Sequence, residues 1–125
     1  MATVTATKEN FDELVSSKDI VLVDFWAAWC GPCRAFAPTF EKASETYSDM
    51  LFAKVDTEAQ QELAAAFSIM SIPTLMVLRE NVIVYMEAGA LPAKSLEELI
   101  TKVRELDMDD IHQRIADREA SAKQS

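Results

Sequence analysis

The sequence predicts an α/β domain: a central sheet of mixed parallel and antiparallel strands, flanked by helices on both faces. Three observations predict it. Two strand-like apolar runs, residues 19–26 and 51–55, bracket a helical pattern; such a β-α-β unit implies parallel pairing through a right-handed crossover. Two further runs, residues 74–78 and 82–86, flank Arg79-Glu80-Asn81 and read as a hairpin, which adds antiparallel strands to the same sheet. Helical patterns precede, separate and follow these strands, so helices must cover the sheet.

Each element has a local reason. Residues 10–15 carry Phe11, Leu14 and Val15 at helical spacing, with Thr7 as the N-cap. Residues 19–26 are β-branched and apolar and read as a buried strand. The next helix begins near Pro32, whose missing N–H does no harm in a first turn, and runs through Phe36, Phe40, Ala43 and Tyr47. Pro38 inside it should bend it. After the strand at 51–55, Thr57-Glu58-Ala59-Gln60 reads as a capping box that opens a helix to about Phe67. In the hairpin, Asn81 is able to take the left-handed turn conformation. Residues 95–106 are amphipathic, with Leu96, Leu99, Ile100 and Val103 on one face.

At 125 residues, half of them hydrophobic, the chain fits one domain able to build a core without disulfide staples. Residues 1–10 are polar and mixed in charge, unlike a secretory signal. No run approaches the ~18 apolar residues of a membrane span, since Asp24 interrupts residues 20–25. A cytoplasmic protein acting as a monomer is therefore expected. In that compartment a thiol pair stays mostly reduced, and a disulfide is usually transient and catalytic. The net charge of −9 argues against nucleic-acid phosphates and anionic membranes as partners.

Both cysteines fall within Trp29-Cys30-Gly31-Pro32-Cys33. A thiol pair at that spacing can close a small ring and reopen it, a reversible two-electron store, provided one thiol ionises easily. As a structural disulfide it would add little, because so short a loop removes little entropy from the unfolded chain. Structural zinc takes four ligands, and the chain offers these two cysteines and one histidine, His112, in a distant charged tail; no metal site is expected. The context favours redox chemistry: the pair sits where a strand ends and a helix begins, and sites in open α/β sheets gather there.

Cys30 is expected at the helix N-terminus, where free N–H groups and the helix dipole favour the nucleophilic thiolate. Cys33, one turn inside, should be more buried and should attack the mixed disulfide between Cys30 and the substrate. Gly31 and Pro32 keep the ring between them short and stiff. Asp24 is a carboxylate in an apolar strand. It reads either as an outward-facing side chain or as a buried group of raised pKa that exchanges a proton with Cys33. Lys54 reads as its partner charge or as a solvated lysine at a strand end. Pro73 is excluded from the middle of a ladder, so it is expected at a sheet edge, where it could be cis and an extended peptide could pair beside the cysteines. Trp29 is expected to be half exposed, and Trp26 to lie in the core.

These residues resemble the thioredoxin family over about residues 5–106. Val23-Asp24-Phe25-Trp26-Ala27, the cysteine motif, Pro38, Lys54, Ile72-Pro73-Thr74 and Gly89 stand in the family's order. The resemblance implies the thioredoxin fold, with a cis Pro73 facing the cysteines. It implies a protein-disulfide reductase in which Cys30 attacks, Cys33 resolves, and Asp24, aided by Lys54, exchanges the Cys33 proton through water. Substrate contacts would fall on Trp29, Gly31, Pro32, Ile72, Pro73, Gly89 and Ala90. No bound cofactor is implied; electrons would come from NADPH through a flavin-dependent thioredoxin reductase, and pass to disulfide-containing protein substrates. The Gly31-Pro32 dipeptide is that of reducing members, whereas oxidases and isomerases usually carry a histidine before the second cysteine. The alternative is a binding module or chaperone-like adaptor of the same fold with redox as a side activity.

The chain departs from the family in three places. Asn81 stands where a glycine is usual. Met70-Ser71 stands where many relatives carry a basic residue and a glycine, which makes the substrate rim more apolar. The domain should be complete by residue 106, leaving residues 107–125 as a charged tail. There Met108, Ile111, His112 and Ile115 share one helical face, with Asp107 as cap. The tail is read as a solvated, partly frayed helix or as one docked on its own domain or another protein, away from Cys30.

Overall fold

The computed structural model describes residues 2–123. Five strands, β1 (Thr3–Thr5), β2 (Ile20–Trp26), β3 (Leu51–Asp56), β4 (Thr74–Arg79) and β5 (Val82–Ala88), form one sheet in the order β1-β3-β2-β4-β5. β3 is parallel to both β1 and β2; β4 is antiparallel to β2, and β5 to β4. The helices are α1 (Phe11–Ser16), α2 (Gly31–Thr46), α3 (Gln61–Ala66), α4 (Ala93–Arg104) and α5 (Met108–Lys123).

The pleat divides β2 between two cores. Ile20 and Leu22 point to one face, where Phe36 and Phe40 of α2 and Leu96, Ile100 and Val103 of α4 cover them. Val21, Val23 and Phe25 point to the other, beneath Phe11 and Val15 of α1 and Leu63 of α3. Phe40 meets Phe52 edge-on at 5.2 Å, and Phe11 and Phe67 close at the same distance on the other face. Every residue of β2 but Trp26 is buried, Asp24 included, as a strand apolar on both faces requires.

The structure adds β1, which the sequence reading lacks. Three residues are too few to show a period, and Thr3-Val4-Thr5 is held by its register with Phe52, Ala53 and Lys54. Two expected caps are replaced. Thr7 is not the N-cap of α1: that position is Asn10, whose Oδ1 accepts the Thr7 N–H at 2.6 Å while the Thr7 carbonyl accepts the Phe11 N–H. The capping box at Thr57 does not form. The Thr57 hydroxyl donates to the Trp26 carbonyl, Asp56 Oδ1 accepts from Glu58 N at 2.9 Å, and α3 starts later, at Gln61. The hairpin needs left-handed backbone at two positions, Glu80 (φ 52°) and Asn81 (φ 65°).

Pro73 is not at a sheet edge. It lies immediately before β4, between β2 and β5, where a strand start tolerates a missing N–H; the edge strands are β1 and β5. The Ile72–Pro73 peptide is cis.

α5 packs by its first half. Asp107 Oδ1 accepts the Asp110 N–H at 3.1 Å, Met108 is buried, and Ile111 and Ile115 are half-buried. His112 Nε2 lies 2.9 Å from Glu80 Oε1 in the hairpin turn, and residues 116–123 are exposed. The joint before α5 is organised by Arg79. Its Nη1 donates to the carbonyls of Val103 (2.8 Å), Arg104 and Leu106 (both 3.1 Å), satisfying acceptors that the end of α4 leaves open. Arg79 is the register partner of Ile20, the first residue of β2. The tail therefore joins the domain at the end of the sheet opposite the cysteines, which follow the last residue of β2.

Candidate functional site

The chain leaves β2 at Trp26, turns over residues 27–30 and enters α2. Cys30 is the N-cap of α2, with extended backbone (φ −86°, ψ 113°), and Pro32 occupies the first turn. Its sulfur takes the acceptor role that a serine or aspartate oxygen fills at other caps: Sγ accepts the Cys33 N–H at 3.2 Å. Cys30 and Cys33 are joined by a disulfide, with Cα atoms 5.2 Å apart. Arg34 braces the turn by donating from Nη1 to the Ala28 carbonyl at 2.8 Å.

The expected contrast in exposure between the two cysteines is almost absent. Cys30 is 4% exposed and Cys33 2%, because Ala27, Trp26 and Ile72 pack around both. The Ile72 carbonyl oxygen lies 3.6 Å from Cys30 Sγ, so the segment before Pro73 closes over the sulfur. Pro73 is itself buried, and its carbonyl accepts the Gly89 N–H at 2.8 Å. Gly89 has φ 115°, a conformation that a side chain would strain. The cysteine turn, the Ile72–Pro73 segment and the Gly89 turn thus converge at one end of the sheet. Trp29, Gly31, Pro32, Gly89 and Ala90 are exposed there and Ile72 is half-buried.

Trp29 is more exposed than expected, at 68%, and its indole is held by a hydrogen bond from Nε1 to Glu58 Oε1 at 2.5 Å. Trp26 is half-buried and belongs to the site more than to a core: it packs against the cysteine cluster, and Lys54 Nζ lies 5.0 Å from its ring centroid. Glu58 and Arg34 had no signal in the sequence beyond their places, one after β3 and one after the second cysteine.

Asp24 is buried (1% exposed), which excludes the outward-facing reading. It points to the sheet face that α2 covers, in register with Lys54 on β3 and Leu75 on β4. Among the described residues, neither carboxylate oxygen has a hydrogen-bond partner. Burial raises its pKa to about 7 against the opposing pull of the Lys54 ammonium. A group that titrates there can accept or give a proton near neutral pH. Among the described residues, no group of three or more His, Cys, Asp or Glu side chains is placed to hold a metal ion.

The family model described as Thioredoxin matches residues 2–102. The chain belongs to the thioredoxin family. Putative thioredoxin 2 of Streptomyces coelicolor is 54% identical over 121 residues, 97% of this chain and 90% of that protein. Thioredoxin of Bacillus subtilis is 42% identical over 103 residues, 82% of this chain and 98% of that protein. Among solved structures, a mutant thioredoxin from Halobacterium salinarum superposes with a TM-score of 0.76 at 33% identity, covering 83% of this chain and 91% of that one. Plasmodium falciparum thioredoxin gives 0.73 at 37% identity, covering 80% and 97%. The Streptomyces match leaves at most four residues of the chain outside it, so it takes in most of the tail, whereas the Bacillus match covers 103 residues.

The thioredoxin fold and the Cys30–Cys33 pair make the protein a thiol–disulfide oxidoreductase. A thioredoxin carries its two redox electrons in its own cysteines and binds no cofactor for that step.

Proposed function

We propose that the protein reduces disulfides of other proteins, with Cys30 as nucleophile and Cys33 as resolving thiol. The observation that carries this is the placement of Cys30 Sγ at the N-cap of α2, accepting the Cys33 N–H. In the dithiol form the same N–H and the helix dipole stabilise a thiolate on Cys30. That thiolate attacks one sulfur of the substrate disulfide. The substrate S–S bond breaks, a mixed disulfide forms, and the other substrate sulfur leaves as a thiolate that takes up a proton. Cys33 then loses its proton to Asp24 through water and attacks Cys30 Sγ. The second substrate sulfur departs and is protonated, and the Cys30–Cys33 disulfide described above is the product. Lys54, beside Asp24, moderates the carboxylate's charge.

The substrate segment lies against Trp29, Gly31, Pro32, Ile72, Pro73, Gly89 and Ala90, the residues that converge around the sulfur. A flavin-dependent thioredoxin reductase returns two electrons from NADPH. The protein works as a monomer in the cytoplasm. No helix among the described residues is long and apolar enough to cross a membrane. Residues 1–106 form the redox domain, and residues 107–125 are an appendage remote from the chemistry.

Trapping tests the division of roles. A Cys33→Ser variant should accumulate a mixed disulfide with a substrate protein through Cys30, resolved on a gel by adding a reductant. Accumulation in Cys30→Ser instead would reverse the assignment.

A further inference from the structure

The chain holds six methionines. Met50, Met76 and Met108 are at most 6% exposed, Met86 is half-buried against the core beneath α1 and α3, and Met1 lies outside the described residues. Met70 is 94% exposed. The backbone on either side of it imposes that exposure. Ser68 takes a left-handed turn (φ 54°), and the Ile69 N–H donates to the Ala64 carbonyl at 3.0 Å. Beyond Met70, the Ser71 carbonyl accepts the Thr74 hydroxyl at 2.6 Å. Ile69 packs on the core beneath α1 and α3, and Ile72 packs on the cysteines. The chain is pinned on both sides, and the thioether between is held out in water. Two residues on, the Ile72 carbonyl lies 3.6 Å from Cys30 Sγ.

We propose that Met70 is a modification site, oxidised to the sulfoxide by hydrogen peroxide, and that the sulfoxide slows reduction of protein disulfides. The inference rests on the reading of Cys30 as the nucleophile and adds a regulation to that site. In the step itself the Met70 sulfur attacks one peroxide oxygen. The O–O bond breaks, an S–O bond forms, and two electrons pass from sulfur to the peroxide. The proton of the attacked oxygen joins the departing hydroxide as water. In the oxidised protein Cys30 and Cys33 are already joined and nearly buried, which leaves the Met70 thioether as the accessible sulfur. Oxidation turns an apolar, adaptable group into a polar one. A polypeptide joined to Cys30 and lying against Ile72 covers Met70 as well. It strips water from the sulfoxide oxygen, which weakens docking unless a donor replaces that water. A small disulfide that reaches only the sulfur leaves Met70 in water.

The test treats the full-length protein, in its disulfide form, with hydrogen peroxide and maps the added oxygen by tandem mass spectrometry. The first oxygen should fall on Met70, well before Met86 and the buried methionines. The protein oxidised on Met70 alone is then isolated, reduced with dithiothreitol and desalted. It should reduce insulin roughly five- to tenfold more slowly than untreated protein, the low end of the cost of covering an unpaired polar group, with the change in KM. It should reduce hydroxyethyl disulfide at the untreated rate. Met70→Leu, given the same peroxide, should keep its own untreated insulin rate. Oxygen on Met86 or a buried methionine before Met70 would overturn the site. An unchanged insulin rate in the protein oxidised on Met70 alone would overturn the regulation, as would an equal fall in peroxide-treated Met70→Leu. Failure of the untreated wild type to reduce hydroxyethyl disulfide would instead overturn the reading of Cys30 and Cys33 beneath it.

Discussion

Asp24 on β2 is the register partner of Lys54 on β3, yet neither carboxylate oxygen has a hydrogen-bond partner among the described residues. The lysine ammonium sits instead 5.0 Å from the centroid of the Trp26 ring. The pair is thus near enough for Lys54 to pull the Asp24 pKa down, but not to offset burial, which wins and leaves it at about 7. A carboxyl held in that balance costs stability whenever it is charged.

The sign of that cost gives the first prediction. The folded pKa of about 7 lies above the ordinary 3.8, so between these values the native state keeps a proton that the unfolded chain has released. Stability should therefore fall as pH rises from about 4 to about 7 and level off above, by at most about 4 kcal/mol from this group. Asp24→Asn should remove the fall and be more stable than wild type at pH 8 by about 1–4 kcal/mol, while resolving mixed disulfides more slowly. Urea midpoints across pH measure the first effect and stopped-flow turnover the second. An unchanged pH profile would contradict the buried, proton-exchanging carboxyl.

Alkylation distinguishes the thiols even though burial barely does. After reduction, Cys30 retains the cap position and the Cys33 N–H, and should react with iodoacetamide first at neutral pH. Mass spectrometry of the partly labelled protein reads the site. Preferential labelling of Cys33 would overturn the roles assigned above.

Arg79 should be a structural residue with no part in the redox cycle. Arg79→Met removes the charged donor to three carbonyls at the α4–α5 joint and should cost about 2–3 kcal/mol in urea unfolding. Disulfide reduction well below the unfolding midpoint should proceed at the wild-type rate.

Truncation after Leu106 removes buried Met108, half-buried Ile111 and Ile115, and the His112–Glu80 contact. Most of α5 beyond these is exposed, so the loss should be about 2 kcal/mol, with activity nearly intact. A severalfold fall in turnover would show that the tail takes part in the cycle.

The strand that delivers the site was legible because β2 is apolar at every position but Asp24 and buried on both faces, and the cysteine motif because its thiols, glycine and proline fall at a strand-to-helix junction. Asp24 stood out as the charge in that strand. What the sequence did not show depends on distant segments. β1 exists through its register with β3. Cys30 is buried because the Ile72–Pro73 segment, forty residues on, closes over it. Pro73 reads as an edge residue because proline is excluded from a strand interior, but the chain places it just before a central strand, where no ladder N–H is needed. Trp29 is held by Glu58 and the end of α4 by Arg79, both through side-chain bonds that no periodicity encodes.

The central claim, that Cys30 and Cys33 carry electrons to protein disulfides, is tested most directly by insulin reduction with NADPH and a thioredoxin reductase. NADPH oxidation and precipitation of the insulin B chain would be followed together. The wild type should drive both, and Cys30→Ser and Cys33→Ser should each abolish catalytic turnover. Turnover in Cys30→Ser at the wild-type rate, or none in a reduced and folded wild type, would contradict it.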